Sequence, residues 1–586
     1  MGDSTTHPRR SFCNQEWTTP EANYQESSLD SLCDNLDISE GLGRILAARD
    51  LLNVEDARRF LNPAEDQLHP PREMLGMEAA LERIHHSLVN YEKVLVFGDY
   101  DVDGTAATAI LYNYLKRLGS RVHYYIPHRI KDGYSIGPGV VTKFKAWEVE
   151  LLITADHGST AVEGAELLHK EGIDLIVTDH HQLQRERPRC AALVNPHQEG
   201  CPYPFKELSA AGVVFKLICA LDEYLGERKY WDREGLCYIS PNYYLDLVAL
   251  ATVADMTPLL GENRTLVKLG LDLLNSRPRP GLSGLIKECN IRGKVAPSTI
   301  SFKLAPRINA LGRIGDPGLA VKLMLSHSFT EARKLARHLT AVNKERRAIE
   351  QEVFAQALRQ VEQLQSAPAY VIVGEDWHPG VVGSIASRIA YQTHRPTIAL
   401  TRHPDSRLVG SARSWHHYNI LEALQSCAGR LIRFGGHPSA AGLSLSEENL
   451  EAFTREFYLA VESGGASAPA SAGNDLEIDT WVTPDMLNER FFDEVAWLSP
   501  FGHRNPEPVL ALPGMTIDQP AVFNNRHLKF NVRFPNGREL EAKAWDHLDW
   551  HLDQSQRYDL AFVPHIYHSP DGPKSQLKVV DMMHHG

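Results

Sequence analysis

Three short β-branched runs in this chain each end abruptly in charge. Val94-Leu95-Val96-Phe97 leads into Gly98-Asp99-Tyr100-Asp101-Val102-Asp103-Gly104-Thr105. Leu151-Leu152-Ile153-Thr154 leads into Ala155-Asp156-His157-Gly158, and Leu175-Ile176-Val177-Thr178 into Asp179-His180-His181. Runs of this length, separated by helix-length stretches, predict βαβ units and a parallel sheet over about residues 90–260. Ligands of such sheets gather beyond the carboxyl ends of the strands. Acids and imidazoles at three successive strand ends therefore converge on one place.

Asp99, Asp101 and Asp103 repel one another unless cations hold them, and oxygen ligands of this kind suit Mg²⁺ or Mn²⁺. Alone, this run reads equally as an acidic loop or a helix N-cap cluster. Its repetition at the next two strand ends favours a metal site. Asp255 closes the apolar stretch Leu247 to Ala254, where an unpaired carboxylate is costly and a metal would serve as its partner. Gly104 stands where a helix should begin; it permits close approach of backbone to a phosphate and serves equally as a turn glycine.

A length of 586 residues is too great for one hydrophobic core and predicts three or four domains. Residues 1–40 carry few periodic signals and read as a loosely ordered arm. Residues 41–325 hold the βαβ pattern. Ala332, Leu335, Ala336, Leu339 and Val342 recur at helical steps, which predicts connecting helices over 326–366. A second α/β pattern begins at Tyr370-Val371-Ile372-Val373 and fills 367–462, followed by a Gly/Ala/Ser linker over 463–474. In 475–586, His527-Leu528-Lys529-Phe530-Asn531-Val532-Arg533-Phe534 alternates strictly, predicting a half-buried strand before the turn Pro535-Asn536-Gly537. Lys529 and Arg533 on its polar face suit a small β-barrel that touches nucleic acid, and a barrel without that role would alternate in the same way.

The net charge of -13 by itself argues against a nucleic-acid partner. A metal site collects carboxylates, however, and a basic groove is a local feature. No apolar run reaches membrane-spanning length and Met1 to Pro20 is polar, so a cytoplasmic, non-membrane protein is expected. The eight cysteines are scattered without metal-binding spacing and read as reduced thiols.

The set Asp101-x-Asp103-Gly104, Asp156, Asp179-His180-His181 and Asp255 resembles the successive motifs of the DHH phosphoesterase superfamily. The resemblance continues through Ala305-Pro306-Arg307-Ile308-Asn309-Ala310-Leu311-Gly312-Arg313, Trp377-His378-Pro379-Gly380-Val381-Val382-Gly383, Gly410-Ser411-Ala412-Arg413-Ser414 and Gly435-Gly436-His437. Over roughly residues 45–450 this set is similar to the RecJ family of single-strand-specific DNA exonucleases.

The resemblance implies an α/β protein. A parallel-sheet DHH domain would be joined by a long helix to a DHH-associated domain, followed by a C-terminal barrel like the oligonucleotide-binding (OB) fold. It implies 5′-to-3′ hydrolysis of single-stranded DNA with two Mn²⁺ or Mg²⁺ ions, in repair and recombination. Asp156 would bridge the ions, with Asp101 on one, Asp103, His180 and Asp255 on the other, and Asp99 supplementary. Asp179 would orient its neighbours and His181 would contact the scissile phosphate. Arg129, Arg307, Asn309, Arg313, Ser384, Arg388, Ser411, Arg413 and His437 would bind substrate. Phe523, Phe530 and Trp545 are possible base-stacking residues, with core packing the blander role. A single-strand-binding protein and a helicase are the implied partners of a monomer. Two departures stand out: His157 replaces the family's usual Asn, and Phe97 occupies a place where some relatives have a metal-binding His. The competing expectations are a phosphodiesterase for short oligonucleotides or cyclic dinucleotides, and a catalytically dead replication scaffold; the first typically lacks the barrel and the second has lost metal ligands.

Overall fold

A computed structural model describes residues 11–20, 25–128, 136–364, 367–403, 406–416, 418–464, 475–569 and 572–586. Arg129 and most of the expected 463–474 linker lie outside them. The chain forms two units: Met1–Leu68 with Pro258–Lys268 and Ser471–Gly586, and His69–Thr257 with Leu269–Ala470. No helix among the described residues is long and apolar enough to cross a membrane.

In the second unit, five parallel strands stand in the order Arg121–Tyr125, Lys93–Gly98, Leu151–Ala155, Asp174–Thr178 and Ala192–Val194. The middle strands are buried on both faces, which is why they read as unbroken apolar runs. Backbone hydrogen bonds continue past the strand ends, from Asp99 N to Ala155 O, Asp156 N to Thr178 O and Asp179 N to Val194 O. The acidic residues are thereby fixed in a row along one edge.

Helix Phe329–Gln363, 35 residues long and capped by Ser328, links this domain to a second sheet. That sheet runs Arg433–His437, Ala440–Ser446, Arg407–Arg413, Thr397–Arg402, Tyr370–Gly374, with only the last pair parallel. Helix Pro379–Thr393 packs over it. The architecture is the α/β pair joined by a long helix that the sequence predicts.

The first unit centres on a closed five-stranded barrel, consistent with an OB fold, in which strand Leu510–Phe523 also pairs with Arg557–Ser569 to complete the ring. One expectation fails here. Residues 26–61 are not a loose arm followed by the start of the DHH domain. They form helices Glu26–Leu36, Glu40–Ala48 and Val54–Leu61, whose Leu32, Leu42, Ile45, Leu46 and Leu61 enter one core with Phe491, Leu512, Phe530 and Tyr558. Strand Glu16–Thr18 pairs with Asp475–Glu477, and Arg49 holds Asp479 at 3.0 Å. The apolar stripe of these short helices is too narrow to bury alone and is completed by chain more than 400 residues later.

Candidate metal centre

Asp101 is the N-cap of helix Val102–Arg117, its Oδ1 accepting from Gly104 N at 3.0 Å. The capping interpretation of the acidic run therefore holds for Asp101 on this helix. A Cβ on Gly104 would stand 2.7 Å from the Asp99 backbone, so the glycine lets the acidic loop fold back onto the helix start. Asp103, in the first turn of the same helix and 1% exposed, accepts from Ala210 N and Ala211 N at 2.7 and 2.8 Å. These amides open helix Ala210–Glu227, whose positive end favours a carboxylate.

Asp156 sits in the left-handed region at φ +72°, a conformation that non-glycine residues adopt mostly where surroundings force it. Its side chain is 2% exposed, and Oδ1 is buried with no hydrogen-bond partner. His180 Nε2 approaches that oxygen at 3.2 Å without hydrogen-bond geometry. Two lone-pair groups aimed at a common point are the signature of ligands. His180 Nδ1 faces Leu208 O at 3.1 Å, which fixes Nδ1 as the donor and leaves Nε2 toward Asp103, Asp156 and Asp255 at 3.8, 3.2 and 3.9 Å.

Asp255, at the C-terminus of helix Leu245–Ala254, completes the ring. Three groups bring ligand atoms within 4.8 Å of one another: Asp99, Asp101 and Asp156; Asp103, His180 and Asp255; and Asp156, His180 and His181. Burial first, and then neighbouring carboxylates, raise the pKa of Asp156 well above the ordinary range. The same two causes push Asp255 up to about 8. For Asp103 burial and Asp101 outweigh the opposing His180 and the Ala210 and Ala211 amides. An orphaned buried oxygen, hard oxygen donors and mutual repulsion fit Mn²⁺ or Mg²⁺.

Asp179 is as buried but differently employed. Its oxygens accept from Ser159 N, His180 N, His181 N and His181 Nδ1 at 2.8–3.2 Å. Burial would raise its pKa, yet the His181 hydrogen bond and charge, the Ser159 amide and His180 outweigh it and hold it below the carboxylate range. For His181 burial works downward, and the Asp179 bond and charge, with Asp255 and Asp99, lift it to about 9. His157 donates to Phe97 O at 2.9 Å, and burial pulls its pKa down to about 4. It thus ties two strand ends together without entering the ligand groups. Phe97 is 1% exposed and packs on Tyr125 and Phe144 in the core.

The residues expected to bind substrate fall into two sets. On helix Ala305–Ile314, Asn309 Oδ1 accepts from Val102 N at 3.0 Å and so touches the acidic loop. Arg307 meets Thr340 and Lys303 O, and Arg313 lies 4.0 Å from Glu350 of the long helix. Ser384 donates to the same Glu350 oxygen at 2.7 Å. On the second sheet, strand register sets His437 and Arg413 both opposite Ala440, with Ser411 two residues away. Arg413 Nε donates to Ser387 at 3.0 Å, and a Cβ on Gly383 would lie 2.9 Å from Arg413 and 3.2 Å from Ser411. Arg388 stands apart, its guanidinium 3.7 Å above the Phe354 ring. Sequence reasoning missed Asn195, which follows strand Ala192–Val194 and donates to Ser159 and His181 O at 2.9 Å each; the strand-end rule would have found it.

In the barrel, Phe530 is 1% exposed and belongs to the core, so it does not stack on bases. Trp545 is 45% exposed and packs edge-on to Phe523 at 5.3 Å. Lys529 and Arg533 face outward as the alternation predicts, but pair with Glu541 and with Asp518 and Glu539.

Comparison with known proteins agrees with this arrangement. The DHH family N-terminal domain matches residues 93–252, the DHHA1 domain 365–463 and the RecJ OB domain 478–581. The single-stranded-DNA-specific exonuclease RecJ of Dickeya dadantii is 34% identical over 89% of this chain and 92% of its own length. The chain belongs to the RecJ family. The Escherichia coli member is 33% identical over 85% of this chain and 87% of that protein. The Bacillus subtilis member is 34% identical over 87% of this chain, which spans 63% of that longer relative. Among solved structures, RecJ of Thermus thermophilus in complex with Mn²⁺ superposes with TM-score 0.80 and 28% identity, covering 97% of this chain and 79% of that one. Its complex with Mg²⁺ gives TM-score 0.75.

Proposed function

We propose that this protein is a metal-dependent exonuclease that hydrolyses single-stranded DNA from the 5′ end with two Mn²⁺ or Mg²⁺ ions, releasing 5′-mononucleotides during repair and recombination. The observation that carries the reading is the buried, unpartnered Asp156 Oδ1 at the focus of acidic and imidazole ligands from successive strand ends. In this assignment Asp99, Asp101 and Asp156 would hold one ion and Asp103, His180 and Asp255 the other, with Asp156 the shared ligand. When bound, such a pair lowers the pKa of an attacking water and stabilises charge on the oxygens of an in-line displacement. The protein's own side chains do the rest. Asp179 holds the His181 ring so that its other nitrogen can donate to the scissile phosphate, and Leu208 O locks the His180 tautomer. Arg307, Asn309, Arg313, Ser384, Arg388, Ser411, Arg413 and His437 bind the strand, and Trp545 offers the barrel's stacking face. The same family reading carries a single-strand-binding protein and a helicase as partners.

The test is digestion of single- and double-stranded DNA, labelled at either end, with Mn²⁺ or Mg²⁺ and an Asp156→Ala control. Mononucleotides released from the 5′ end of single strands only, and lost in the control, are expected. Intact DNA under all these conditions would refute the assignment.

A further inference from the structure

Arg346, on the long helix, lies in neither set of residues that the family motifs identify. Its Nη1 donates to Glu350 Oε1 at 2.9 Å, the oxygen that also receives Ser384 at 2.7 Å and has Arg313 at 4.0 Å. The side chain is only 15% exposed, and its Nε is buried without an acceptor. Three residues earlier, about one helical turn, Asn343 is 6% exposed and its Oδ1 is likewise unpartnered. A simple structural ion pair leaves the Arg346 donor unsatisfied, which is destabilising; the Asn343 oxygen is an acceptor and takes no part in holding an anion. Two further facts give the position meaning. Glu350 joins a helix of the DHH domain, through Arg313, to the first turns of the helix over the second sheet, through Ser384. The helix that carries Arg313 also carries Asn309, which touches the acidic loop at Val102.

We propose that Arg346 is a strand-binding residue, its guanidinium held by Glu350 on Nη1 so that its outward edge meets a phosphate oxygen of single-stranded nucleic acid on its way to the metal centre. A fork of fixed donors suits a phosphate oxygen pair, and Glu350 restricts the rotamers that would otherwise have to be ordered on binding. This inference rests on the nuclease reading and extends it to a residue that no motif marks.

The experiment measures fluorescence anisotropy of a labelled single-stranded oligothymidylate with the full chain in chelator, so that the strand stays intact, across a salt series. For single strands each phosphate contact contributes about 0.7 to the slope of log affinity against log salt. Arg346→Ala is expected to weaken binding about tenfold and to lower that slope by about 0.7. Arg346→Lys, which keeps the charge and loses the fork, should retain the slope and recover part of the affinity. A thermal midpoint within a few degrees of wild type shows that the protein is folded. Wild-type binding with an Arg346→Ala curve and slope that coincide with it overturns the inference alone. Loss of affinity with an unchanged slope assigns Arg346 a structural role and overturns it too. A wild-type protein that neither binds nor cleaves single strands overturns the nuclease reading, and this seat with it.

Discussion

The two polar regions of the second unit are built on opposite principles. Around Asp156, carboxylates are gathered where burial and mutual repulsion both oppose their ionisation, and one buried oxygen has no hydrogen-bond partner. Around Arg413 and Ser384, those two side chains are satisfied in place, by Ser387 and by Glu350, although Arg346 Nε and Asn343 Oδ1 on the long helix are not. The first region is costly until a cation enters; the second is ready before any ligand arrives. Binding sites for phosphate can be preorganised by neutral and opposite-charge neighbours, whereas a divalent-cation site must concentrate like charge and so trades stability for affinity.

The largest effect that separates the regions is at Asp156. Asp156→Ala should lower turnover by at least about a thousandfold, the scale of several kcal/mol of lost transition-state stabilisation. Asp156→Asn, which keeps the shape and tolerates the left-handed backbone, should melt higher than wild type in chelator and gain less from added Mn²⁺. Differential scanning fluorimetry with and without metal reads both. A lower metal-free melting point for Asp156→Asn would show that the carboxylate is paired after all.

Asp246 supplies the contrast within the same unit. It is as buried as Asp156, but Arg279 Nε donates to it at 2.7 Å. Asp246→Ala should therefore destabilise the protein by about 3–5 kcal/mol, because it strands a buried cation. The loss should be similar with and without Mn²⁺, opposite in sign to Asp156→Asn in chelator. Equal metal dependence of the two variants would break the comparison.

The pH dependence follows from the same repulsion. Asp255 is raised to about 8 in the folded metal-free protein and lies in the ordinary carboxylate range when unfolded. The native state thus binds more protons between these values, and this contribution to stability falls as pH rises from about 4 to 8. His181, raised to about 9, has the same sign over its own window: its contribution is fully present below its unfolded pKa and lost as pH approaches 9. His157, pulled down to about 4 by burial, has the opposite sign below its ordinary 6.5, so denaturant unfolding in chelator should show the decline from about 6.5 to 8, and saturating Mn²⁺ should flatten it. A stability that climbs from about pH 6.5 to 8 without metal would contradict the clustering of charge.

On the preorganised side, Arg413→Ala should raise KM about tenfold with kcat changed far less, as steady-state digestion of a single strand would show. A fall in kcat at unchanged KM would move Arg413 from strand binding to the chemistry.

What was legible beforehand follows the same divide. Asp101, Asp103, Asp156, His180 and His181 announce themselves because a parallel strand ends where its apolar run ends, and Asp255 because a carboxylate closes a stretch too apolar to leave it unpaired. The groups that hold these side chains were not legible. The Ala210 and Ala211 amides that bind Asp103 are backbone atoms with no side-chain identity. Arg346 and Glu350 look in sequence like any i, i+4 surface pair. The helices of residues 26–61 show a sparse apolar stripe, and a stripe reveals that a face is covered without revealing that its cover lies in the barrel.

The barrel gives the smallest effect and the sharpest limit on reading charge from alternation. Lys529 and Arg533 project outward as the strand pattern predicts, but Glu541 opposes the first and Asp518 and Glu539 the second across neighbouring strands. Whereas Arg346 is paired through Nη1 alone, Lys529 is neutralised at its only charged atom and Arg533 through both Nε and Nη2, so they release few counterions when a strand arrives. Both cations are about half exposed, where such interactions contribute under about 1 kcal/mol. The Lys529→Ala, Arg533→Ala double variant should therefore keep its melting point within a few degrees and its salt slope within about 0.3 of wild type, against a loss of about 0.7 for the single Arg346→Ala change. Trp545→Ala, which removes an exposed aromatic face, should weaken strand binding more than the double charge variant does, by about tenfold. If the double variant instead lowers the slope by more than one, the ion pairs open on binding, and the barrel's outward cations act as the alternation alone had suggested.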